Sequence, residues 1–150
     1  MKESPETQKL EKILRSTKIS AFGFMGTDPR SLSEIISSDL TDIRELGITI
    51  AKIVSRMKEI TAKAEPALGS SIKIDNKLDV RIDEAKGRII CPWPHPASFP
   101  IRITYVENPQ TGEKIQWTDL NIHLIEEHNF FEGKGSPYRI EPKELAKIIF

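Results

Sequence analysis

The sequence predicts an α+β fold, in which an N-terminal helical layer packs on an antiparallel meander of four or five strands, with further helices at the C-terminus. Three observations predict it. Apolar residues recur at helical spacing as far as Pro66, the period changes to strict alternation after Gly69, and helical spacing returns after Trp117. Helices, then a run of strands, then helices imply an antiparallel sheet rather than a doubly wound parallel one. At 150 residues with 38% hydrophobic content, the chain reads as one domain over positions 1–150. Within it, 1–20 is a helix prone to fraying, 28–66 is the helical layer, and 70–150 carries the strands and C-terminal helices.

Each element has its own signal. Ser4, Pro5 and Glu6 supply an N-cap, a favoured first position and first-turn negative charge, and Leu10, Ile13 and Leu14 follow on one face. Phe22, Gly23, Phe24, Met25 and Gly26 break that pattern; the segment is expected as a linker packed on the core rather than an exposed lid or docking segment. Asp28, Pro29 and a Ser31/Glu34 capping box announce a second helix, with Leu32, Ile35, Ile36 and Leu40 on one stripe. A short third segment, Thr41 to Leu46, is expected to stop at Gly47. Thr49 then caps a helix with Ile50, Ile53, Val54, Met57 and Ile60, which should end before Pro66.

Ile72 and Ile74, then Leu78, Val80 and Ile82, alternate with charged neighbours, as in strands covered on one face. Asp75 and Asn76 form the turn between them, Lys86 and Gly87 read as the next reversal, and Gly87 to Cys91 as a third strand. The segment from Cys91 to Pro96, with Pro100 beyond, is too rich in proline for a helix or a central strand. Ile101, Ile103 and Tyr105 resume the alternation, Asn108 to Gly112 is a hairpin loop, and Ile115 and Trp117 return. Thr118 and Asp119 start a helix running to about His128, and Pro142 opens the last one, with Leu145, Ile148 and Ile149. Ile122 and Ile125 fall on one side of the Thr118 helix and Leu120, Leu124 and Phe131 on another, so this helix is expected between two layers.

Charge and composition exclude several classes. The chain has 22 basic and 22 acidic residues, and neither half hides a surplus, which argues against bulk attraction to nucleic acid or anionic membrane. A single Cys precludes an intramolecular disulfide framework. No apolar run approaches the roughly 20 residues of a membrane span, and Met1 to Lys9 is too polar for a signal peptide. The expectation is a soluble cytoplasmic protein with no membrane partner.

The chemistry concentrates in one quarter of the chain. The single Cys and all three His follow as Cys91, three residues, His95, 27 residues, His123, four residues, His128. Zinc sites use two close pairs of such ligands, each pair fixing two corners of a tetrahedron. The first pair here sits on a stiff proline loop and the second on a helix, with four intervening residues inside the usual H-x₃₋₅-H range. Against this, positions five apart on a helix differ by about 140°, so one ion is reached only if the last turn unwinds. The alternative is ordinary packed or solvated histidines and a buried thiol. Four protein ligands would make the metal structural; three would leave a position for water, with Glu126 or Glu127 as base. His123 to His128 reads H-x-x-E-E-H, which matches neither metalloprotease motif, so a zinc protease is rejected. Cys91 with His95 as nucleophile and base lacks a third, orienting group.

Two weaker constellations remain. Leu46, Gly47, Ile48 and Thr49 between helices, with Ile53 beyond, resemble a helix-turn-helix DNA-binding turn, and Lys52, Arg56 and Lys58 give the second helix a local basic surplus. Ile43 is large where such units place a small residue, and the plainer reading is an αα-hairpin with a solvated face. The loop Glu132 to Arg139 lacks the phosphate-loop spacing, though Lys134, Tyr138 and Arg139 can be imagined holding a small anion; otherwise it ties the last helix to the sheet. Trp93 and Phe99 among the prolines either cover a sheet edge or dock a partner.

From Cys91 onward, above all over Trp117 to His128 and Gly133 to Arg139, and more faintly over Phe24 to Leu32, the chain resembles a family of small prokaryotic cytosolic proteins of unassigned function. That resemblance implies no activity, cofactor or catalytic residue. The function expected from the residues is a non-catalytic binding or regulatory module stabilised by structural zinc. The alternatives are a small metal-dependent hydrolase on the Cys/His cluster and DNA binding through the helix after Gly47. A protein partner or a homodimer fits the first.

Overall fold

Side-chain caps set where the helices begin. In the computed structural model, which describes residues 4–17 and 23–150, Ser4 accepts the Thr7 N–H at the start of α1 (Pro5–Arg15), Ser31 that of Glu34 at α2 (Leu32–Glu45) and Thr49 that of Lys52 at α3 (Ile50–Ala64). The Ser31 hydroxyl returns a bond to the Glu34 carboxylate at 3.1 Å. A full capping box appears instead at Thr118, where α4 (Asp119–His128) starts: its hydroxyl accepts from Asn121, whose side-chain oxygen accepts the Thr118 N–H. Pro142 opens α5 (Pro142–Ile149).

Four strands, β1 (Ile72–Ile74), β2 (Leu78–Ile90), β3 (Ser98–Asn108) and β4 (Glu113–Thr118), pair antiparallel in chain order. The protein is thus α+β, with helices before and after an antiparallel meander. Asp75 and Asn76 both have positive φ, 56° and 52°, at the centre of the turn between β1 and β2, which the Lys77 N–H closes on the Ile74 carbonyl at 3.1 Å.

Three local expectations are corrected. Thr41 to Leu46 is not a separate helix but the end of α2: no Gly or Pro interrupts it, and the Thr41 hydroxyl donates to the Ser37 carbonyl at 2.9 Å. Lys86 and Gly87 are not a reversal. The ladder steps from Ala85 opposite Ile101 to Arg88 opposite Pro100, so the pair forms a bulge inside one long β2, with Gly87 at φ 99°, and the described residues carry four strands, the lower of the two numbers expected. Pro100 lies within β3, where its missing N–H costs little, because β4 begins to pair only at Ile103.

Two apolar clusters form the core, and α4 divides them. Ile122 and Ile125 join Ile53, Met57, Val80 and Trp117 between α3, the sheet and α5. Leu120 and Leu124 join Leu14, Phe24, Met25, Ile35 and Cys91 on the other side. The helix is therefore central, as its two apolar sides predict. Phe131 does not share the Leu120 side, however: it packs in the first cluster, and Phe130 takes the place in the second. The residue after the helix, Asn129, is left-handed (φ 54°), which turns the chain and swaps the faces of the two phenylalanines. Phe24 and Met25 are buried, so that part of the expected linker does pack on the core, while Phe22 lies outside the described residues.

The second cluster is closed by a clasp of two backbone segments. The Gly133 N–H donates to the Phe24 carbonyl at 2.9 Å, and the Thr27 N–H to the Lys134 carbonyl at 3.0 Å. A Cβ on Gly133 would lie 2.3 Å from the Met25 carbonyl oxygen, so only glycine allows this approach. The glycine-rich turn after α4 thus ties to the segment before α2, not merely to the sheet. Among the described residues, no helix is long and apolar enough to cross a membrane.

Candidate metal centre

The hairpin between β2 and β3 carries the first two residues of the cluster. Beyond the last ladder pair, Ile90 with Ser98, the Cys91 N–H donates to the Ala97 carbonyl at 3.0 Å, which closes the loop at its base. The His95 N–H donates to the Trp93 carbonyl at 2.8 Å, a tight turn centred on Pro94. Fixed φ at Pro92, Pro94 and Pro96 stiffens the loop, so His95 is presented at small entropic cost. His123 comes from the middle of α4 and His128 from its last position.

These four side chains converge. One ligand atom from each of Cys91, His95, His123 and His128 lies within 4.8 Å of all the others. His95 Nε2 is 3.1 Å from His128 Nε2 and 3.3 Å from His123 Nε2, and Cys91 Sγ is 3.5 Å from His128 Nε2. A neutral imidazole nitrogen either bears a proton or offers a lone pair, so His95 Nε2 cannot donate to one neighbour while accepting from the other. Four potential ligand atoms gathered this closely could share one cation in place of these hydrogen bonds. The cluster can hold a metal ion.

The helical obstacle does not arise as expected. α4 stays helical through His128, and Asn129 then caps it with its N–H on the Ile125 carbonyl. The rings instead lean toward each other across the helix surface, with centroids 5.4 Å apart and planes 81° apart, and His95 sits 5.1 Å from each. An imidazole is long enough to bridge that arc without unwinding the turn. The carbonyl end of α4 also favours positive charge beside His128.

Burial favours the neutral imidazole at two of the three histidines. Burial, reinforced by the neighbouring His123 and His95, lowers the His128 pKa to about 4. Burial and then His95 lower that of His123. Burial pushes the Cys91 thiol up, so in the absence of a cation it keeps its proton and on metal binding it must release it. Two aromatic residues that sequence reasoning placed elsewhere complete the surroundings. Trp93 stacks on His128 with centroids 4.0 Å apart, and Phe99 packs on His123 at 4.7 Å. Both are therefore tied to imidazoles; the only signal in the sequence was their interleaving with the Cys/His pair and its prolines.

The other residues singled out from the sequence lie apart from this centre. On α3, Arg56 donates to the Ile149 carbonyl and to the carboxylates of Glu59 and Asp75, while Lys58 pairs with Glu126 of α4 at 3.0 Å. Their charges are drawn to different neighbours, and Lys52 stands exposed near the start of the helix. Glu126, considered as a base, is thus engaged by Lys58.

In the loop after α4, all five N–H groups of Arg139 are used. They go to Asp39 at 2.5 and 2.8 Å, to Glu141 at 3.0 and 3.3 Å, and to the Glu132 carbonyl at 2.8 Å. The Lys134 N–H donates to Asp28, and the Tyr138 carbonyl accepts from Asn121.

Glu132 is the residue of this loop that the sequence did not single out. Its carboxylate is buried and accepts from Asn121 Nδ2 and Ser136 Oγ, both at 2.6 Å. Burial pushes its pKa up to about 7, against the pull of these hydrogen bonds. A carboxyl that binds its proton more tightly when folded contributes stability fully below its ordinary value, and loses it as pH rises through about 7. The stability of the native protein relative to Glu132→Gln is therefore expected to fall between pH 5 and 8, as read by urea unfolding at each pH. A difference that stays flat across that window contradicts a proton held at Glu132.

Comparisons of the chain with protein-family models, with curated proteins and with solved structures found no match.

Proposed function

We propose that the protein is a non-catalytic binding or regulatory module whose β2–β3 loop is stapled to α4 by a structural zinc ion, held by Cys91, His95, His123 and His128. The spacing of the ligand atoms supports zinc most directly. Zn–N bonds near 2.05 Å and a Zn–S bond near 2.3 Å at tetrahedral angles place nitrogens about 3.4 Å apart and sulfur about 3.6 Å from nitrogen. The closest separations here are 3.1 and 3.3 Å between nitrogens and 3.5 Å from sulfur to nitrogen. A thiolate with three imidazoles is a borderline donor set that suits zinc and not magnesium or calcium, which take oxygen ligands.

Four protein ligands fill a tetrahedron, whereas catalytic zinc keeps a position for water. This favours a structural over a hydrolytic ion, although a cleft of about 270 Å³ does open beside His123, lined by Phe99, Arg102 and Asp119 among others. A DNA-binding role for α3 draws less support, since Arg56 and Lys58 are both engaged within the fold. The metal content of protein purified without chelators tests the reading. Close to one equivalent of zinc is expected, and less than about a tenth of an equivalent contradicts a resident ion.

A further inference from the structure

We propose that Trp93 is a positioning residue for the metal: its indole clamps the His128 imidazole and favours the loaded centre over the empty one. This inference rests on the zinc reading of the Cys/His cluster. Trp93 lies between two of the ligands in sequence, and its carbonyl accepts the His95 N–H at 2.8 Å, so it holds the turn that presents His95. Its ring meanwhile covers His128, with centroids 4.0 Å apart and planes only 8° apart. Among the described residues, the other ring pairs around the centre are tilted, by 39° to 81°. Phe130, buried in the second cluster, meets the indole edge-on at 5.5 Å and limits its movement.

Parallel alignment matters because of what the metal does to the imidazole. An imidazole that gives its Nε2 lone pair to a dication becomes electron-poor and takes on part of the positive charge. The indole face is the most electron-rich of the aromatic faces and attracts such a charge within about 6 Å. The stack is consequently stronger with metal bound than without. An interaction that is stronger in one state shifts the equilibrium toward it, so Trp93 raises metal affinity without touching the ion. It also fixes the His128 ring plane, the task usually given to groups that surround metal ligands.

The test compares the native protein with Trp93→Ala and Trp93→Phe. Zinc affinity is read by competition with a chromophoric chelator, and cobalt(II) is titrated while tryptophan emission is followed. Trp93→Ala is expected to bind zinc about tenfold more weakly or worse, while Trp93→Phe stays within about threefold of the native protein. Trp93→Ala also removes packing from the second cluster, so its metal-free melting temperature is expected below the native value, whereas that of Trp93→Phe stays close to it. Cobalt should quench emission in the native protein, and most of that quench should vanish in Trp93→Phe, which retains Trp117 as its sole tryptophan. The Trp93→Phe quench is informative even if the alanine variant folds poorly. Native-protein zinc uptake with unchanged affinity in Trp93→Ala, or a full quench in Trp93→Phe, overturns the role of Trp93 and leaves the zinc centre standing. A native protein that takes up neither zinc nor cobalt overturns both.

Discussion

Stripping the metal with a strong chelator is expected to lower the melting temperature by about 10 °C. A ligand held at about a thousandfold excess over its dissociation constant stabilises the folded state by about 4 kcal/mol, and in a chain of this size each kcal/mol moves the melting temperature by about 2–4 °C. The loss should be local in origin. The β2–β3 hairpin runs past β4, so from Ser98 to Arg102 it is a two-stranded ribbon, and its Cys91–Ala97 loop reaches α4 through the four-ligand cluster and the Trp93 stack. Two-stranded ribbons are marginal on their own. Cys91→Ala and His123→Ala should each reproduce most of the chelator effect and no longer respond to chelator, and zinc added back should restore the native protein alone. Thermal unfolding followed by circular dichroism reads all of these. Melting temperatures that move by less than a degree or two on chelation of a metal-loaded sample would mean that the ion does not staple the fold.

Arg139→Ala is expected to cost about 3–5 kcal/mol, because it leaves the carboxylate of Asp39 buried without its partner. The side chains of Arg139 and Asp39 are 8% and 2% exposed, so solvent cannot replace the lost bonds. The guanidinium joins α2, through Asp39, to the loop before α5 and to the carbonyl of Glu132. It is held firmly in its charged form by Asp39 and Glu141, and it holds Glu141 below the usual carboxylate range. The paired replacement Asp39→Leu with Arg139→Met should recover most of the loss, since it removes both charges together. Urea unfolding of the single and double variants separates the two cases. A single variant that loses less than about 1 kcal/mol contradicts the buried pair as a structural tie.

The sequence made some of this legible and hid the rest for physical reasons. α3 and the strands Ile72–Ile74 and Leu78–Ile82 could be read because period, cap and turn residues agree there. The cluster of Cys91, His95, His123 and His128 could be read because those residue types are scarce and fall in two close pairs. Lys86 and Gly87 could not be read correctly, since a bulge and a reversal use the same residues and differ only in what the partner strand does. The helix wheel overstated the separation of His123 and His128 because it tracks Cβ directions and ignores the length of the imidazole. Asp39 and Arg139 are 100 positions apart, and nothing local in either neighbourhood marks them as partners. Glu132 looked like an ordinary loop carboxylate; only its burial against Asn121 and Ser136 distinguishes it.

The central claim is that one sulfur and three nitrogens of this chain surround a zinc ion. X-ray absorption at the zinc edge of the natively purified protein measures that shell. The account requires one sulfur near 2.3 Å and three nitrogens at about 2.0–2.1 Å. A sulfur-free shell of five or six oxygen and nitrogen atoms, or a sample with no zinc edge, contradicts it.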